Sequence, residues 1–243
     1  MTIKEAIYVR QSCRNFNENQ IETEKSEILN TAIEKINKES GLRVQLIQND
    51  KLAFSKFLKS YGLFKGVSNF IALVGKRNDK NLDELVGYYG QKLVLLATTL
   101  ELGTCFVGGT YDKSYTLKYC KEDEIIVLVI AIGNRAEKET NFQNMIRQIS
   151  YRKNKPYTSF IESNSFIEDW IVSGVKAVSM GPTAVNRQGI SLAYKDSELT
   201  IHINKKGSLD HVDLGIAKAN FEIEVEKGAF ELGDGARFNN FIK

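Results

Sequence analysis

Residues 83–109, DELVGYYGQKLVLLATTLELGTCFVGG, join a long apolar helix to a glycine-rich exit. Leu85, Tyr89, Leu93, Leu96, Ala97 and Leu100 recur every three or four residues, the spacing of one helical face. Val94, Leu95 and Leu102 lie off that stripe, so the helix predicted over 83–102 is apolar nearly all round. Such a helix sits centrally rather than at the surface. Gly103 is the expected stop. Beyond it, Gly108 and Gly109 allow the backbone to approach a ligand closely. A plain helix end followed by a turn is the competing reading of the same residues.

Working outward, residues 2–10 read as a short helix carrying Ile3, Ile7 and Arg10, and Ser12 to Phe16 leave it in a loop. An amphipathic helix is expected over 24–39, with Ile28, Ala32 and Ile36 on one face and Gly41 ending it. Leu42 to Ile47 reads as a strand, Leu52 to Lys59 as a helix, and Val67 to Val74 as a buried strand. Glu124 to Ile132 is a further apolar strand. Residues 137–159 are polar and include the basic run Tyr151 to Pro156, so an internal boundary is placed there, dividing 1–155 from 156–243. Past it come a helix over 160–179 with the only tryptophan, Trp170, ended by Gly181 and Pro182, and a hairpin of 190–194 with 199–203 around Asp196-Ser197. Residues 209–227 are ambiguous. Phe221, Ile223 and Val225 alternate like a strand, whereas Val212, Ile216, Ala219 and Ile223 suit a helix.

The bulk numbers narrow the function. With 243 residues, 42% of them hydrophobic, the chain can bury a real core. Its 33 basic and 30 acidic residues balance to +3, which gives no support for a nucleic-acid or membrane surface. Cys13, Cys105 and Cys120 form no disulfide framework and read as reduced thiols. No run approaches the ~18 apolar residues of a membrane span, and the N-terminus lacks a signal-peptide pattern. A cytoplasmic protein is expected. The two histidines, His202 and His211, have no cysteine pair nearby, so no metal site is predicted.

Three segments suggest chemistry. In Arg10-Gln11-Ser12-Cys13-Arg14-Asn15-Phe16, guanidinium groups and a hydroxyl can converge on a phosphate or a polar ring edge. In Leu102-Gly103-Thr104-Cys105-Phe106-Val107-Gly108-Gly109, backbone N–H groups can face a ligand. In Gly181-Pro182-Thr183-Ala184-Val185-Asn186-Arg187-Gln188, two side-chain amides can each donate and accept against a heterocycle. Taken singly, each reads equally well as a solvated helix end, a turn or a polar loop.

Taken together, they resemble the nitroreductase family. Its opening Arg-x-Ser-x-Arg-x-Phe is matched by Arg10, Ser12, Arg14 and Phe16. Its Leu-Gly-Thr-Cys-Trp-x-Gly is matched by Leu102 to Gly108, with Phe106 at the tryptophan position. Its Ala-Pro-Ser-Ala-x-Asn-x-Gln-Pro-Trp loop is matched by Gly181 to Gln188, but Gly189-Ile190 stand where Pro-Trp is usual. That loop normally comes early in the chain and reaches the flavin of a partner subunit; here it comes late. An internal repeat accompanies this shift. Tyr89-Gly90-Gln91-Lys92, leading to Leu102-Gly103, aligns with Leu214-Gly215-Ile216-Ala217, leading to Lys227-Gly228, which favours the helical reading of 209–227. The chain is therefore similar to a single-chain branch of the family.

The resemblance implies an α+β protein, a three-layer α/β/α sandwich of two related halves fused as a pseudo-dimer. It implies one FMN and hydride transfer from NAD(P)H to an electron-poor acceptor such as a nitroaromatic or quinone. The cofactor carries that chemistry, so no catalytic side chain is expected. Cofactor-binding residues would be Arg10, Gln11, Ser12, Arg14, Phe106, Gly108, Gly109, Pro182, Thr183, Ala184, Asn186 and Gln188. Arg152 and Lys153 are the candidates for the FMN phosphate, with Arg135 and Arg147 competing. A fused pair has no need to dimerise, so a monomer is expected, a homodimer being the alternative. Other readings are reductive dehalogenation on the same scaffold, or a non-catalytic flavin-binding or flavin-storage protein.

Overall fold

The computed structural model describes residues 1–55, 64–136 and 154–240. Among them are six α-helices: α1 (Ile3–Val9), α2 (Thr23–Ser40), α3 (Leu82–Thr99), α4 (Lys113–Thr116), α5 (Asp169–Ser179) and α6 (Asp210–Val225). The strands are β1 (Gln45–Ile47), β2 (Asn69–Lys76), β3 (Gly103–Val107), β4 (Glu124–Gly133), β5 (Ile161–Ser163), β6 (Ile190–Lys195), β7 (Glu198–Ile203), β8 (Gly228–Phe230) and β9 (Ala236–Asn240). The chain is α+β and divides into two compact units. One is built from Met1–Val9, Asp83–Lys92 and Arg152–Lys243, the other from Arg10–Leu82 and Leu93–Tyr151.

The Arg10–Leu82 and Leu93–Tyr151 unit holds a four-stranded sheet in the order β1-β2-β4-β3. Every pairing in it is antiparallel, with Leu46 opposite Ile71, Phe70 opposite Ala131, and Cys105 opposite Ala131 from the other side. Phe70 to Gly75 of β2 form a continuous apolar run, and all of the strand except Lys76 is buried. Phe70, Ala72 and Val74 from β2 pack with Val129 and Ala131 from β4, and with Phe16, Val67, Val107 and Tyr111. β4 is longer than expected by one residue, Gly133.

α2 forms where its periodicity puts it, ending at Gly41 in the left-handed conformation (φ 72°). Its buried face differs from the expected one. Leu29, Ile33 and Ile36 are inside and Ile28 faces outward. Both stripes have helical spacing, and only packing against a neighbour selects between them. Arg43, just before β1, grips the buried Glu124 at the start of β4. Its Nε donates to both carboxylate oxygens at 2.9 and 2.8 Å, and Lys121 adds a backbone N–H at 2.8 Å. These bonds hold the Glu124 carboxyl below the usual carboxylate range, Arg43 contributing most and burial opposing it. A depressed folded-state pKa contributes stability above the unfolded value and loses it as pH falls through the folded one. Arg43→Met is therefore expected to lower stability by about 1.5–3 kcal/mol at pH 7. Thermal melts should show that deficit shrinking towards pH 4.

The Met1–Val9, Asp83–Lys92 and Arg152–Lys243 unit holds a five-stranded sheet, β5-β6-β7-β9-β8. β6 and β7 form the expected hairpin, in register from Ile190–Ile203 to Lys195–Glu198, and Asp196 and Ser197 make its turn with positive φ (52° and 64°). β7–β9 and β9–β8 are antiparallel, and only the short edge strand β5 runs parallel to its neighbour. The predicted helix over 160–179 is shorter than expected. Tyr157–Phe160 form a 3-10 turn and Ile161–Ser163 the edge strand before α5 begins at Asp169. Residues 209–227 are helical, as the internal repeat favoured, and α6 is buried without a break from Val212 to Phe221. Phe221 meets Phe230, Phe238 and Trp170 edge-on, and Ile171, Val175, Leu192 and Ile201 complete that core.

Setting β5 aside, the two sheets share a plan. In each, a helix precedes two strands, then a long helix precedes two more, and the order is first, second, fourth, third, all antiparallel. α3 spans the division in sequence, with Asp83–Lys92 in one unit and its C-terminal half in the other. Leu93, Val94 and Leu95 are each at most 1% exposed, so three consecutive positions of this helix are inside, as its all-round apolarity predicts. Its end was expected at Gly103. Instead Glu101 takes the left-handed turn (φ 64°), with Leu102 N–H bonding Ala97 and Glu101 N–H bonding Thr98. This is the Schellman closure, here without glycine. Gly103 opens β3, where a Cβ would strike the Cys13 side chain.

Leu52 to Lys59 was expected to be helical; Lys51–Phe54 form a single 3-10 turn, and 56–63 lie outside the described residues. The three cysteines form no disulfide with one another, and no helix among the described residues is long and apolar enough to cross a membrane.

Candidate functional site

The first candidate segment follows α1 and runs beside β3, the edge strand of the four-stranded sheet. Ser12 bridges Thr104 in parallel fashion and Cys13 N–H donates to the Thr104 carbonyl at 2.8 Å. Further on, Phe16 N–H bonds the Lys65 carbonyl, Lys65 N–H bonds the Arg14 carbonyl, and Ala136 N–H bonds the Asn15 carbonyl. The segment is thus pinned on both sides, which fixes the direction of its side chains. Cys13 and Phe16 are buried, whereas Gln11 and Ser12 are exposed and Arg10 and Arg14 half-buried.

Several polar groups of this segment gather around the buried thiol of Cys105 on β3. Burial pushes that thiol up, while Arg14, a hydrogen bond from Ser12 and Arg10 draw it back. Burial also lowers the Arg10 guanidinium, with Cys105 opposing and the neighbouring Arg135 adding repulsion. The Nε of Arg10 is buried and has no hydrogen-bond partner among the described residues. A buried, unpartnered donor costs about 1–3 kcal/mol, more when charged. The arrangement has the character of an anion site: cations repelling one another, an exposed hydroxyl, and a donor aimed at nothing.

Phe106 is half-buried on β3, Gly108 half-buried and Gly109 exposed. A Cβ on Gly109 would meet no atom within 4 Å, so local packing gives no reason for glycine there. Arg135 lies against Gly103 and joins Arg10. Arg152, Lys153 and Arg147 lie outside the described residues.

The other candidate segment links α5 to β6. Gly181 N–H closes α5 on the Val178 carbonyl, and Ala184–Asn186 make one 3-10 turn. Val185, Asn186 and Gln188 all have positive φ, at 48°, 50° and 50°. For a β-branched residue this is a true outlier, and such residues cost on the order of 1–3 kcal/mol each. The loop is tethered against that strain. Gln188 N–H donates to Thr183 Oγ1 at 3.0 Å, Lys155 N–H donates to Gln188 Oε1 at 2.8 Å, and Lys155 Nζ donates to the Gln188 carbonyl at 2.9 Å. Asn186 reaches Asn154 at 3.4 Å. Val185 is left 72% exposed at the tip. Gly189, at the usual proline position, accepts N–H bonds from Asn204 and Lys205 through its carbonyl, and Ile190 opens β6.

One tether was not anticipated. Asp213, in the first turn of α6 and 5% exposed, accepts the Ala184 N–H through both carboxylate oxygens, at 3.0 and 3.2 Å. Burial pushes its pKa up to about 7, against the Ala184 bond and Arg187, with Asp210 adding repulsion. The sequence signal was an aspartate among Val212, Leu214 and Ile216, all of which are buried.

The sequence matches the family model described as putative TM nitroreductase over residues 2–225. A crystal structure of a putative nitroreductase from Thermotoga maritima MSB8 is similar over 98% of this chain and 92% of its own, at 21% identity and a TM-score of 0.64. A nitroreductase family protein from Clostridium difficile 630 is 16% identical over 68% of this chain and 100% of its own, with a TM-score of 0.49. A nitroreductase with bound FMN from Bacteroides fragilis NCTC 9343 is 15% identical over 58% of this chain and 91% of its own, with a TM-score of 0.45. No curated protein matches at a significant level.

Proposed function

This chain belongs to the putative TM nitroreductase family, and from that premise we propose that it is an FMN-dependent oxidoreductase using NAD(P)H. The observation that carries the reading is the buried, unpartnered Arg10 Nε beside Arg135, in a segment that also turns Arg14 and Ser12 towards Cys105. Bound there, FMN would supply hydride chemistry, accepting from NAD(P)H and delivering to an electron-poor acceptor such as a nitroaromatic or quinone.

Arg10 and Arg14 hold the phosphate, ribityl chain or pyrimidine edge through charge-assisted bonds, and Ser12 and Gln11 complete that hold. Phe106 and the backbone of Gly108 and Gly109 border the ring. In the other unit, the segment of Pro182, Thr183, Ala184, Asn186 and Gln188 offers a heterocycle two side-chain amides that can each donate and accept. For the phosphate, Arg135 competes with Arg152 and Lys153. No side chain needs to act as nucleophile or general base. The strand order shared by the two sheets supports a fused pair of related halves, and such a chain works as a monomer in the cytoplasm.

Freshly purified protein should absorb between about 350 and 500 nm, and FMN should raise its melting temperature, since a ligand bound only by the native state stabilises it. Arg14→Ala should weaken FMN binding by tenfold or more, from the ~1.5–3 kcal/mol of a charged hydrogen bond. A variant that keeps the wild-type spectrum through gel filtration removes Arg14 from the site. A colourless wild type that FMN does not stabilise removes the flavin.

A further inference from the structure

The Asp213 carboxyl is buried on α6, yet among the described residues it accepts hydrogen bonds from one backbone N–H, that of Ala184. The charged groups facing it are Arg187, from the loop, and Asp210, from its own helix. Asp210 is itself engaged by the N–H groups of Gly207 and His211. The α3 segment packed on α6 carries Asp83, whose charge meets His211 and Asp210, and Glu84, which is committed to Lys218. Among the described residues, no ion pair neutralises Asp213.

We propose that Asp213 is a positioning residue: as a carboxylate, it holds the Pro182–Gln188 loop in the strained form that binds the ligand. The inference rests on the proposed flavin reading for its ligand, but not for its mechanics. Three loop residues sit at positive φ. The remaining tethers on Gln188 come from Thr183, in the loop itself, and from Lys155. Asp213 ties the loop to a helix of the core, and it does so at Ala184, next to the strained Val185. A carboxylate accepts an N–H bond more strongly than the neutral acid does.

Protonation should therefore loosen the loop. With burial raising the carboxyl to about 7, this change falls between pH 6 and 8. The stability sign runs the other way. A carboxyl raised above its unfolded value favours folding while protonated, and that contribution is lost as pH rises through about 7. The ionised carboxylate thus lowers global stability at pH 8 while ordering one loop. A residue retained only for stability would not combine these two effects.

The test measures FMN affinity by fluorescence quenching from pH 5.5 to 8.5 in the wild type and in Asp213→Asn. Amide hydrogen-exchange protection of Ala184 is followed in parallel without FMN. If only the carboxylate form binds, the wild-type Kd should rise about tenfold from pH 8 to pH 6, since the apparent constant scales with the competent fraction. Ala184 protection should fall over the same range. Asp213→Asn should bind FMN no more tightly, and protect Ala184 no better, than the wild type does at pH 5.5, at every pH, and should melt higher than the wild type at pH 8 by a margin that narrows towards pH 5.5. A variant that keeps the wild-type pH dependence, or matches its Kd at pH 8, overturns the proposal. Should the variant fail to fold, a wild-type Ala184 protection that does not change with pH overturns it equally. Loss of protection in a protein with no affinity for FMN at any pH overturns the flavin reading and leaves the tether standing.

Discussion

Replacing Lys218 with methionine is expected to cost about 3–5 kcal/mol, the penalty for removing one partner of a buried ion pair. Lys218 and Glu84 have side chains that are each only 3% exposed, with Nζ and Oε1 at 2.5 Å. Lys218 Nζ also donates to the carbonyls of Glu231 and Gly233, at 2.7 and 2.9 Å. The second oxygen of Glu84 accepts the Gly233 N–H at 2.8 Å. One ammonium and one carboxylate thus lock α3, α6 and the turn between β8 and β9 within a single unit. Methionine replaces the aliphatic stem well, but it leaves Glu84 charged in an apolar setting and strands two carbonyls. For a chain of this size each kcal/mol is about 2–4 °C, so the melting temperature should fall by roughly 6–20 °C. The double variant Glu84→Gln/Lys218→Met should lose less than the sum of the single variants, because the orphaned charge is gone. A Lys218→Met melting temperature within 2 °C of wild type is incompatible with the pair as described.

The second large effect concerns two glycines where α3 and α6 cross. A Cβ on Gly215 would land on the Glu84 carbonyl and the Tyr88 N–H, and a Cβ on Gly87 would land on the Val212 carbonyl. Both obstacles are helix backbone, which cannot swing aside as a long side chain can. Alanine is the better helix former by about 1 kcal/mol, so at an open site Gly→Ala would stabilise. Here the clash should win. Gly215→Ala and Gly87→Ala are each expected to be net destabilising by about 1–3 kcal/mol, the usual range for overpacking. Urea unfolding should show a lower midpoint at unchanged slope. A midpoint at or above wild type for either variant is incompatible with so close a crossing. The crossing also accounts for neighbouring polar pairs. With the backbones this close, Gln91 Nε2 reaches Asn220 at 2.8 Å, Asn220 passes the contact on to the Ala177 carbonyl at 3.0 Å, and Tyr88 reaches Glu222 at 2.5 Å.

The expectations that held share a physical character. α2, β2, β4 and the β6–β7 hairpin each carry their signal within about ten consecutive residues, as periodicity, apolar run length or a turn pair. α3 and α6 are less local cases. The first was legible because its apolarity on all sides leaves little choice about burial. The second needed the internal repeat, since its own pattern was evenly divided. The errors were equally specific. Ile28 and Leu29 both fit a helical stripe, and the choice between them belongs to whatever packs against α2. Gly103 looked like a helix stop, but Glu101 took the left-handed position, and the glycine serves the approach of Cys13 instead. The region 160–168 lacks strong helix breakers, so its turn and edge strand were invisible before β6 was there to pair with it.

The candidate site divides along the same line. Arg10, Ser12, Arg14 and the Asn186 loop were nameable from residue type and spacing. That Arg10, Arg14 and Ser12 gather on Cys105 with Arg135 alongside was not, because Cys105 lies some ninety positions further along the chain and Arg135 thirty beyond it. Asp213 was missed for a related reason: an aspartate near a helix start reads as an ordinary favourable charge, and nothing local says that it is buried under a loop.

On its own, then, the sequence determined where most helices and strands form and marked three segments as candidates for chemistry, because local backbone preference and the apolar repeat are written in adjacent residues. Tertiary structure alone decided the strand order, the Lys218–Glu84 lock, the glycine crossing and the carboxylate beneath the strained loop. Each of these depends on desolvation and close contact, and a group's environment exists only after distant parts of the chain have packed around it.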